Sequence, residues 1–255
     1  MNEMVKVKDD LLEEYEKLLL LRDQLMKEAW NLKNLYIHEF GELMTAIFEK
    51  KVECISLKKS IALCQEAENH GVCMAEKELG EYISKQVEEY NACLKELLEE
   101  NERCKKLEYA LDADVQKAKV IYRKLAKLLH PDINSETEKV PELAELWDRI
   151  YGAYCCNDVK ELEELEVLTG LTLEKLGMDG KLPKLPNLGE KIEAVKANIE
   201  RIRTTEPYLY KLLFDDAEAT GEKRRELREE LEEYTDYAER LREVMDEFRE
   251  RGVLV

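Results

Sequence analysis

The sequence has few of the residues that interrupt helices or build a thick globular core. Of its 255 residues, 10 are glycine, 5 are proline, 4 are phenylalanine and 2 are tryptophan, whereas 38% are charged. A sheet protein needs many glycine- and proline-containing turns, so this composition disfavours a sheet fold. Glutamate, lysine, leucine and alanine dominate instead. The composition therefore predicts an all-α, elongated protein.

Long apolar runs are also missing. The longest string of leucines is Leu18–Leu21, far shorter than the roughly 20 apolar residues that span a bilayer. The first ten residues, MNEMVKVKDD, lack the apolar stretch of a signal peptide. The seven cysteines are an odd number without framework spacing, which favours free thiols in a reducing compartment. These features predict a cytoplasmic protein with no membrane partner.

Excess positive charge and catalytic motifs are absent too. The formal net charge is -18, and a nucleic-acid partner needs a net basic footprint, so none is expected. The three histidines, at 38, 70 and 130, neighbour no nucleophile motif, and the chain has no glycine-rich phosphate loop. Cys64, His70 and Cys73 lack a fourth metal ligand at a suitable spacing. We therefore expect no enzymatic activity, no cofactor and no metal.

One stretch departs from the acidic background. From Val115 to Pro131 there is no aspartate or glutamate. Apolar residues recur there with the spacing of one helix face: Ala118, Ile121, Tyr122, Leu125, Leu128 and Leu129. Lys119, Arg123 and Lys127 lie four apart and form a stripe on another face. Proline at 131 ends the helix, so we predict a basic helix whose tip presents an imidazole and a carboxylate to solvent.

This stretch resembles the second helix and loop of a J-domain, the module of DnaJ-like co-chaperones. The resemblance lies in Tyr122-Arg123-Lys124-Leu125-Ala126 followed by His130-Pro131-Asp132. It continues in Leu146–Tyr154, LWDRIYGAY, which is similar to the third helix of the family, and it covers about residues 107–168. The family's first helix, with its Tyr-x-x-Leu-Gly motif, has no good counterpart; Leu107 and Leu111 are the residues we expect to supply its packing.

The resemblance implies a co-chaperone that binds a DnaK-type chaperone and stimulates its ATPase. The stimulatory loop would be His130, Pro131 and Asp132, with Lys119, Arg123, Lys124 and Lys127 as the basic partner-binding residues. An exposed aspartate can pair with an arginine of the partner, and cationic side chains speed encounter with an acidic surface. The alternative is a coiled-coil scaffold or adaptor whose J-like segment is structural.

Heptad patterns flank the J-like segment. Leu11, Leu18, Leu25 and Leu32 recur every seven residues in a helix expected over about 3–68 with an interruption near Gly41, and a second helix is expected over about 72–106. Near the other end the heptad runs through Leu227, Leu231, Tyr234, Ala238, Leu241, Met245 and Phe248. These coiled-coil segments would serve as arms that bind client proteins or mediate assembly. Pairing within one chain and pairing in a homodimer both remain open.

Local signals predict the remaining boundaries. Pro141 suits the first position of a helix, and Asp158 with Glu161 has capping-box spacing for a helix ending at Gly170. Pro207 is expected in the first turn of the last helix. The predicted organisation is an N-terminal coiled-coil hairpin over 1–106, a J-like module over 107–170, a linker over 171–190 and a C-terminal coiled-coil hairpin over 191–255.

Overall fold

The structure, a computed structural model, describes residues 2–105, 112–178 and 187–255. In these ranges the chain forms helices and no strand, which confirms the all-α prediction. The helices are α1 (Asn2–Asn69), α2 (Glu76–Gln86), α3 (Glu88–Lys105), α4 (Asp112–Leu129), α5 (Pro141–Cys156), α6 (Val159–Lys175), α7 (Leu188–Thr204), α8 (Tyr210–Phe214) and α9 (Ala217–Glu250).

The chain divides into two compact units. The first unit contains residues 1–32 and 108–209, and the second contains residues 33–107 and 210–255. The segments predicted as hairpins, 1–106 and 191–255, are each shared between the two units. The predicted linker begins inside α6, which continues past Gly170 to Lys175 because Leu173 is buried in the core. Residues 179–186 of that linker lie outside the described residues.

The first unit buries the leucine seam of α1 against α7. Tyr15, Leu19 and Leu25 share a buried cluster with Leu188, Ile192, Val195 and Ile199. Leu11 and Leu18 are partly buried against the same cluster. Lys196 pairs with Glu14 at 3.1 Å across these helices. The sequence predicted that α7 pairs with the last helix. In the structure the apolar face of α7 packs against α1, which also carries apolar residues at helical spacing.

In the second unit, α2 and α3 run back along α1. Ala67 and Cys64 cluster with Leu79 and Ile83, while Asn34 lies against Arg103 and Cys104 near the other end. In this order α2 and α3 are antiparallel to the second half of α1. The predicted single helix over 72–106 is two helices, because the backbone of Val87 leaves the α region at the end of α2.

The heptad of α9 also packs within the second unit. Leu227, Ala238, Met245 and Phe248 are buried, as the seam predicts. The helix begins at Ala217, where Asp216 accepts a hydrogen bond from the backbone N–H of Glu218 at 2.9 Å. Pro207 is therefore not in its first turn: a separate short helix, α8, lies between them. A local capping aspartate decides the start of α9.

Gly41 does not interrupt α1, contrary to the sequence prediction. The helix continues through it, and the side chain of Asn101 from α3 lies over its Cα. A Cβ at position 41 would come 2.5 Å from Oδ1 of Asn101. Glycine therefore leaves room here for the Asn101 side chain of α3, which a Cβ at position 41 would displace.

We expect Gly41→Ala to lower the free energy of unfolding by about 1–3 kcal/mol through overpacking. In an Asn101→Ala background the same change should instead raise it by up to about 1 kcal/mol, because alanine is the better helix former. Gly80→Ala, on an open face of α2, is the control and should be mildly stabilising in both backgrounds. Urea unfolding of the wild type, of Asn101→Ala, and of Gly41→Ala and Gly80→Ala in each of these two backgrounds measures this. Equal effects of Gly41→Ala in both backgrounds would contradict it.

Candidate functional site

The J-like module is a three-helix core in the first unit. The buried stripe of α4 and the apolar residues of α5 and α6 form one cluster that includes Leu125, Ile150 and Leu165. Tyr122 of α4 stacks on Tyr154 of α5 with ring centroids 3.9 Å apart. Pro141 begins α5, and Asp158 caps α6 by accepting from the N–H of Glu161 at 3.0 Å, both as predicted. These contacts fix the end of α4 where the His-Pro-Asp loop begins.

The loop folds back on itself after α4. The backbone N–H groups of Ile133 and Asn134 donate to the carbonyl of His130 at 2.9 and 2.8 Å. The N–H of Asp132 donates to Nδ1 of His130 at 3.0 Å. The imidazole packs edge-on against Trp147 and is 3% exposed. The prediction of a tip projecting into solvent is therefore wrong for His130, because the ring is enclosed by its own loop and by α5.

Arg22 of α1 covers the other side of the loop. Its Nη1 donates to Oδ2 of Asp132 at 2.7 Å, and its Nη2 lies 2.9 Å from Nε2 of His130. Nη2 also donates to Oδ1 of Asp23 at 2.9 Å. One guanidinium thus joins α1 to both ionisable residues of the loop. The side chain of Asp132 remains 41% exposed, so its carboxylate is paired without being buried.

Asp23 is the buried acceptor at the centre of this network. Its Oδ2 accepts from the Tyr122 hydroxyl at 2.7 Å and lies 3.3 Å from Nε2 of His130. Nδ1 of His130 accepts from the Asp132 N–H, so Nε2 is the ring nitrogen that can donate to Asp23. Burial alone would raise the pKa of Asp23, but the contacts with His130, Arg22 and Tyr122 outweigh it and lower that pKa. Burial and the Asp23 carboxylate raise the pKa of Tyr122.

Lys27, one turn further along α1, binds the end of α5. Its Nζ donates to the carbonyl of Tyr154 and to Oδ1 of Asn157, both at 2.6 Å, and lies 3.8 Å from the centroid of the Tyr154 ring. An ammonium at a helix C-terminus satisfies carbonyls left free by the last turn. Lys27 is buried, and this burial lowers its pKa to about 8.

This lowered pKa predicts a dependence of stability on pH. The folded protein releases the Lys27 proton near pH 8, whereas the unfolded chain holds it to about 10.5, so the unfolded state binds more protons in between. Relative to a chain without this lysine, the free energy of unfolding should therefore rise by about 2 kcal/mol from pH 8 to 10, against the opposite contribution of the cysteine thiols whose pKa burial raises. Lys27→Met should remove that rise, whereas Lys17→Met, on an exposed side chain, should keep it. Urea unfolding across this range is the measurement, and an unchanged rise in Lys27→Met contradicts it.

The predicted basic residues do not form one free stripe. Lys119 donates to Oε1 of Gln24 at 2.5 Å, and Lys127 pairs with Glu16 at 3.2 Å, both on α1. Lys124 lies on a different side of α4 and pairs with Glu166 of α6 at 3.3 Å. Arg123 is exposed. The structure thus brings Lys119 and Lys127 to α1 with the loop, leaves Arg123 exposed to solvent, and directs Lys124 towards α6.

Comparisons with models of protein families, with curated proteins and with solved structures found no match to this chain. Among the residues whose placement is described, no group of three or more potential metal ligands lies together. No helix in that part of the chain is long and apolar enough to cross a bilayer. The candidate site is therefore defined by its contacts alone.

Three residues of the site were missed by the sequence analysis: Arg22, Asp23 and Lys27. They follow the four-leucine string of α1, where an apolar seam would contain fewer charged residues. These charges next to an apolar seam are the one signal of the site in the sequence. The missing first helix of the J-like module was expected to be replaced by Leu107 and Leu111, which lie outside the described residues. In the described structure α1 itself packs on this face through Arg22, Asp23 and Lys27.

Proposed function

We propose that this chain is a cytoplasmic J-domain-like co-chaperone that engages a DnaK-type ATPase through His130-Pro131-Asp132, with Arg22 occupying the loop until a partner arginine replaces it. The observation that carries the proposal is the 2.7 Å pair between the Arg22 guanidinium and the Asp132 carboxylate. This pair favours the interpretation that the loop binds an arginine side chain. The sequence resemblance supplies the partner class, and the helices outside the J-like module serve as client or assembly arms.

Exchange of one arginine for another is physically reasonable at this position. His130 fixes the backbone of Asp132, so the carboxylate is preorganised for a donor whether or not Arg22 is present. The Asp132 side chain is 41% exposed, and a cavity of about 290 Å³ lined by Arg22, Asp132, Glu138 and Trp147 lies beside it. An incoming guanidinium would keep the carboxylate paired throughout, which avoids the cost of an unpaired charge.

Steady-state ATP turnover by a DnaK-type chaperone, with and without the full chain, tests this proposal. We expect stimulation that Asp132→Asn abolishes and that His130→Gln reduces. His38→Gln, an exposed histidine of α1 in the second unit, is the matched control and should leave stimulation unchanged. Circular dichroism establishes that each variant is folded. No stimulation by the chain, or stimulation that survives Asp132→Asn, refutes the proposal.

The second candidate is a coiled-coil scaffold or adaptor in which the J-like segment is structural. The burial of His130 and its bonds within the chain favour it, because a residue that caps a helix and anchors α1 needs no external partner. This candidate predicts that Asp132→Asn leaves the function in the cell intact. It also predicts that affinity capture recovers a non-chaperone protein that binds the wild-type chain and the Asp132→Asn variant equally.

A further inference from the structure

An exposed apolar surface lies on the side of the J-like module formed by α4 and α6. Val120 and Leu128 of α4 are 54% and 48% exposed, and Val167 and Leu171 of α6 are 65% and 59% exposed. Large aliphatic side chains clustered in solvent are uncommon on a protein that functions without a partner at that surface. We call these four residues the α4–α6 patch.

Two ion pairs join α4 to α6 at positions next to the patch residues. Lys117 pairs with Glu163 at 2.7 Å, and Lys124 pairs with Glu166 at 3.3 Å. Both pairs run between the outward sides of α4 and α6, and their order shows that the two helices are parallel. In helical projection Val120 and Leu128 flank Lys124, and Val167 follows Glu166. The patch therefore extends across both helices.

The patch is separate from the loop contacts. Lys119 and Lys127 face α1, whereas Lys124 and Leu128 lie at least about 60° further around α4, and Val120 lies between these two sides. A protein bound to the patch would therefore leave Asp132 and Arg22 uncovered. The leucine seam of α1 is already buried against α7, so it does not compete for the same role.

We infer that the α4–α6 patch is the interface of a homodimer. The charges of the two helices identify the second copy as the occupant. Beside the patch α4 carries Lys117 and Lys124 and no acidic residue, whereas α6 carries Glu163 and Glu166. A two-fold axis parallel to the helices places α4 of each copy over α6 of the other, which joins the two apolar stripes and sets basic against acidic side chains.

The expected affinity follows from the size of the face. Two helices of 17 and 18 residues present a surface about 26 Å long and 20 Å wide, or about 500 Å² in projection. This is below the roughly 800 Å² per partner of a standard interface. A dimer held by such a face should dissociate in the micromolar range.

Sedimentation equilibrium of the full chain tests the dimer. We expect a monomer–dimer equilibrium in the micromolar range for the wild type, and a monomer for the double variant Val167→Glu, Leu171→Glu. Leu212→Glu changes a residue that is 70% exposed on α8, and it should leave the equilibrium unchanged. A wild-type chain that is monomeric at 100 µM, or a dimer that survives the double variant, overturns the inference.

Charge reversal tests the arrangement within the dimer. Lys124→Glu alone and Glu166→Lys alone should each weaken self-association about tenfold. A mixture of these two variants should form heterodimers more tightly than either variant forms homodimers, because each interface half then pairs opposite charges across the two copies. Separation of differently tagged chains measures this. Equal self- and cross-association would show that the ion pairs act only within one chain and would contradict the proposed arrangement.

Discussion

Replacing Asp23 with alanine is expected to lower the free energy of unfolding by about 3–5 kcal/mol, the cost of breaking a buried ionic network by removing one partner. Asp23 accepts from Tyr122 and Arg22 and lies 3.3 Å from Nε2 of His130. Its loss leaves the Tyr122 hydroxyl and the His130 ring buried without their acceptor. Arg22 keeps its contact with His130 and, as its one carboxylate partner in the described site, the half-exposed Asp132.

Urea unfolding followed by circular dichroism measures the Asp23 effect. Glu13→Ala is the matched control, since Glu13 is an exposed acidic residue of the same helix and pairs with Lys17 in solvent. That change should have little effect on the free energy of unfolding, because an ion pair in solvent contributes little. Asp23→Asn should be intermediate, because the amide oxygen still accepts from Tyr122. Equal effects of Asp23→Ala and Glu13→Ala would contradict the central role of Asp23.

Replacing Arg22 with alanine is expected to lower the concentration of chain needed for half-maximal stimulation of the DnaK-type ATPase by up to about tenfold. An Arg22–Asp132 pair that is favourable by about 1.4 kcal/mol occupies the loop in about nine-tenths of the molecules. Only about one-tenth of the loops can then bind the partner, so the apparent affinity is about tenfold weaker. Removing the internal guanidinium restores it. The measurement is ATP turnover as a function of chain concentration.

Two variants separate this effect from general loosening of the fold. Arg22→Lys keeps a positive charge near Asp132 but not the planar pair of donors. Its increase in apparent affinity for the ATPase should therefore be smaller than that of Arg22→Ala. Arg22→Ala combined with Asp132→Asn should lose stimulation entirely. If the wild type stimulates and Arg22→Ala behaves identically, the co-chaperone proposal stands and the role of Arg22 is refuted. If neither stimulates, the proposal itself fails.

The boundaries that local chemistry decides were predictable from the sequence. Pro141 begins α5 because its missing N–H is not needed there, and Asp158 caps α6. The heptad of α9 identified its buried residues because a period of 3.5 defines one face whatever lies opposite. Gly170 misled the prediction because a glycine inside a helix is tolerated when the next turn is held by a buried residue, here Leu173.

Features that depend on distant residues were not predictable. Gly41 looks like a break until Asn101, sixty positions later, is placed against it. The His130 loop looks like an exposed tip because nothing near it in the sequence identifies Arg22, 108 positions earlier, as its cover. A single sequence shows the apolar periodicity of each helix but does not show which helices pack against each other.

The central claim is that Arg22 of α1 holds the loop through Asp132, and a double-mutant cycle of this pair tests it most directly. The free energies of unfolding of the wild type, Arg22→Ala, Asp132→Ala and the double variant give the coupling energy between the two side chains. We predict a favourable coupling of about 1 kcal/mol or more, within the range of contacting charged pairs. Additive effects, with a coupling near zero, would show that α1 does not hold the loop and would contradict the account.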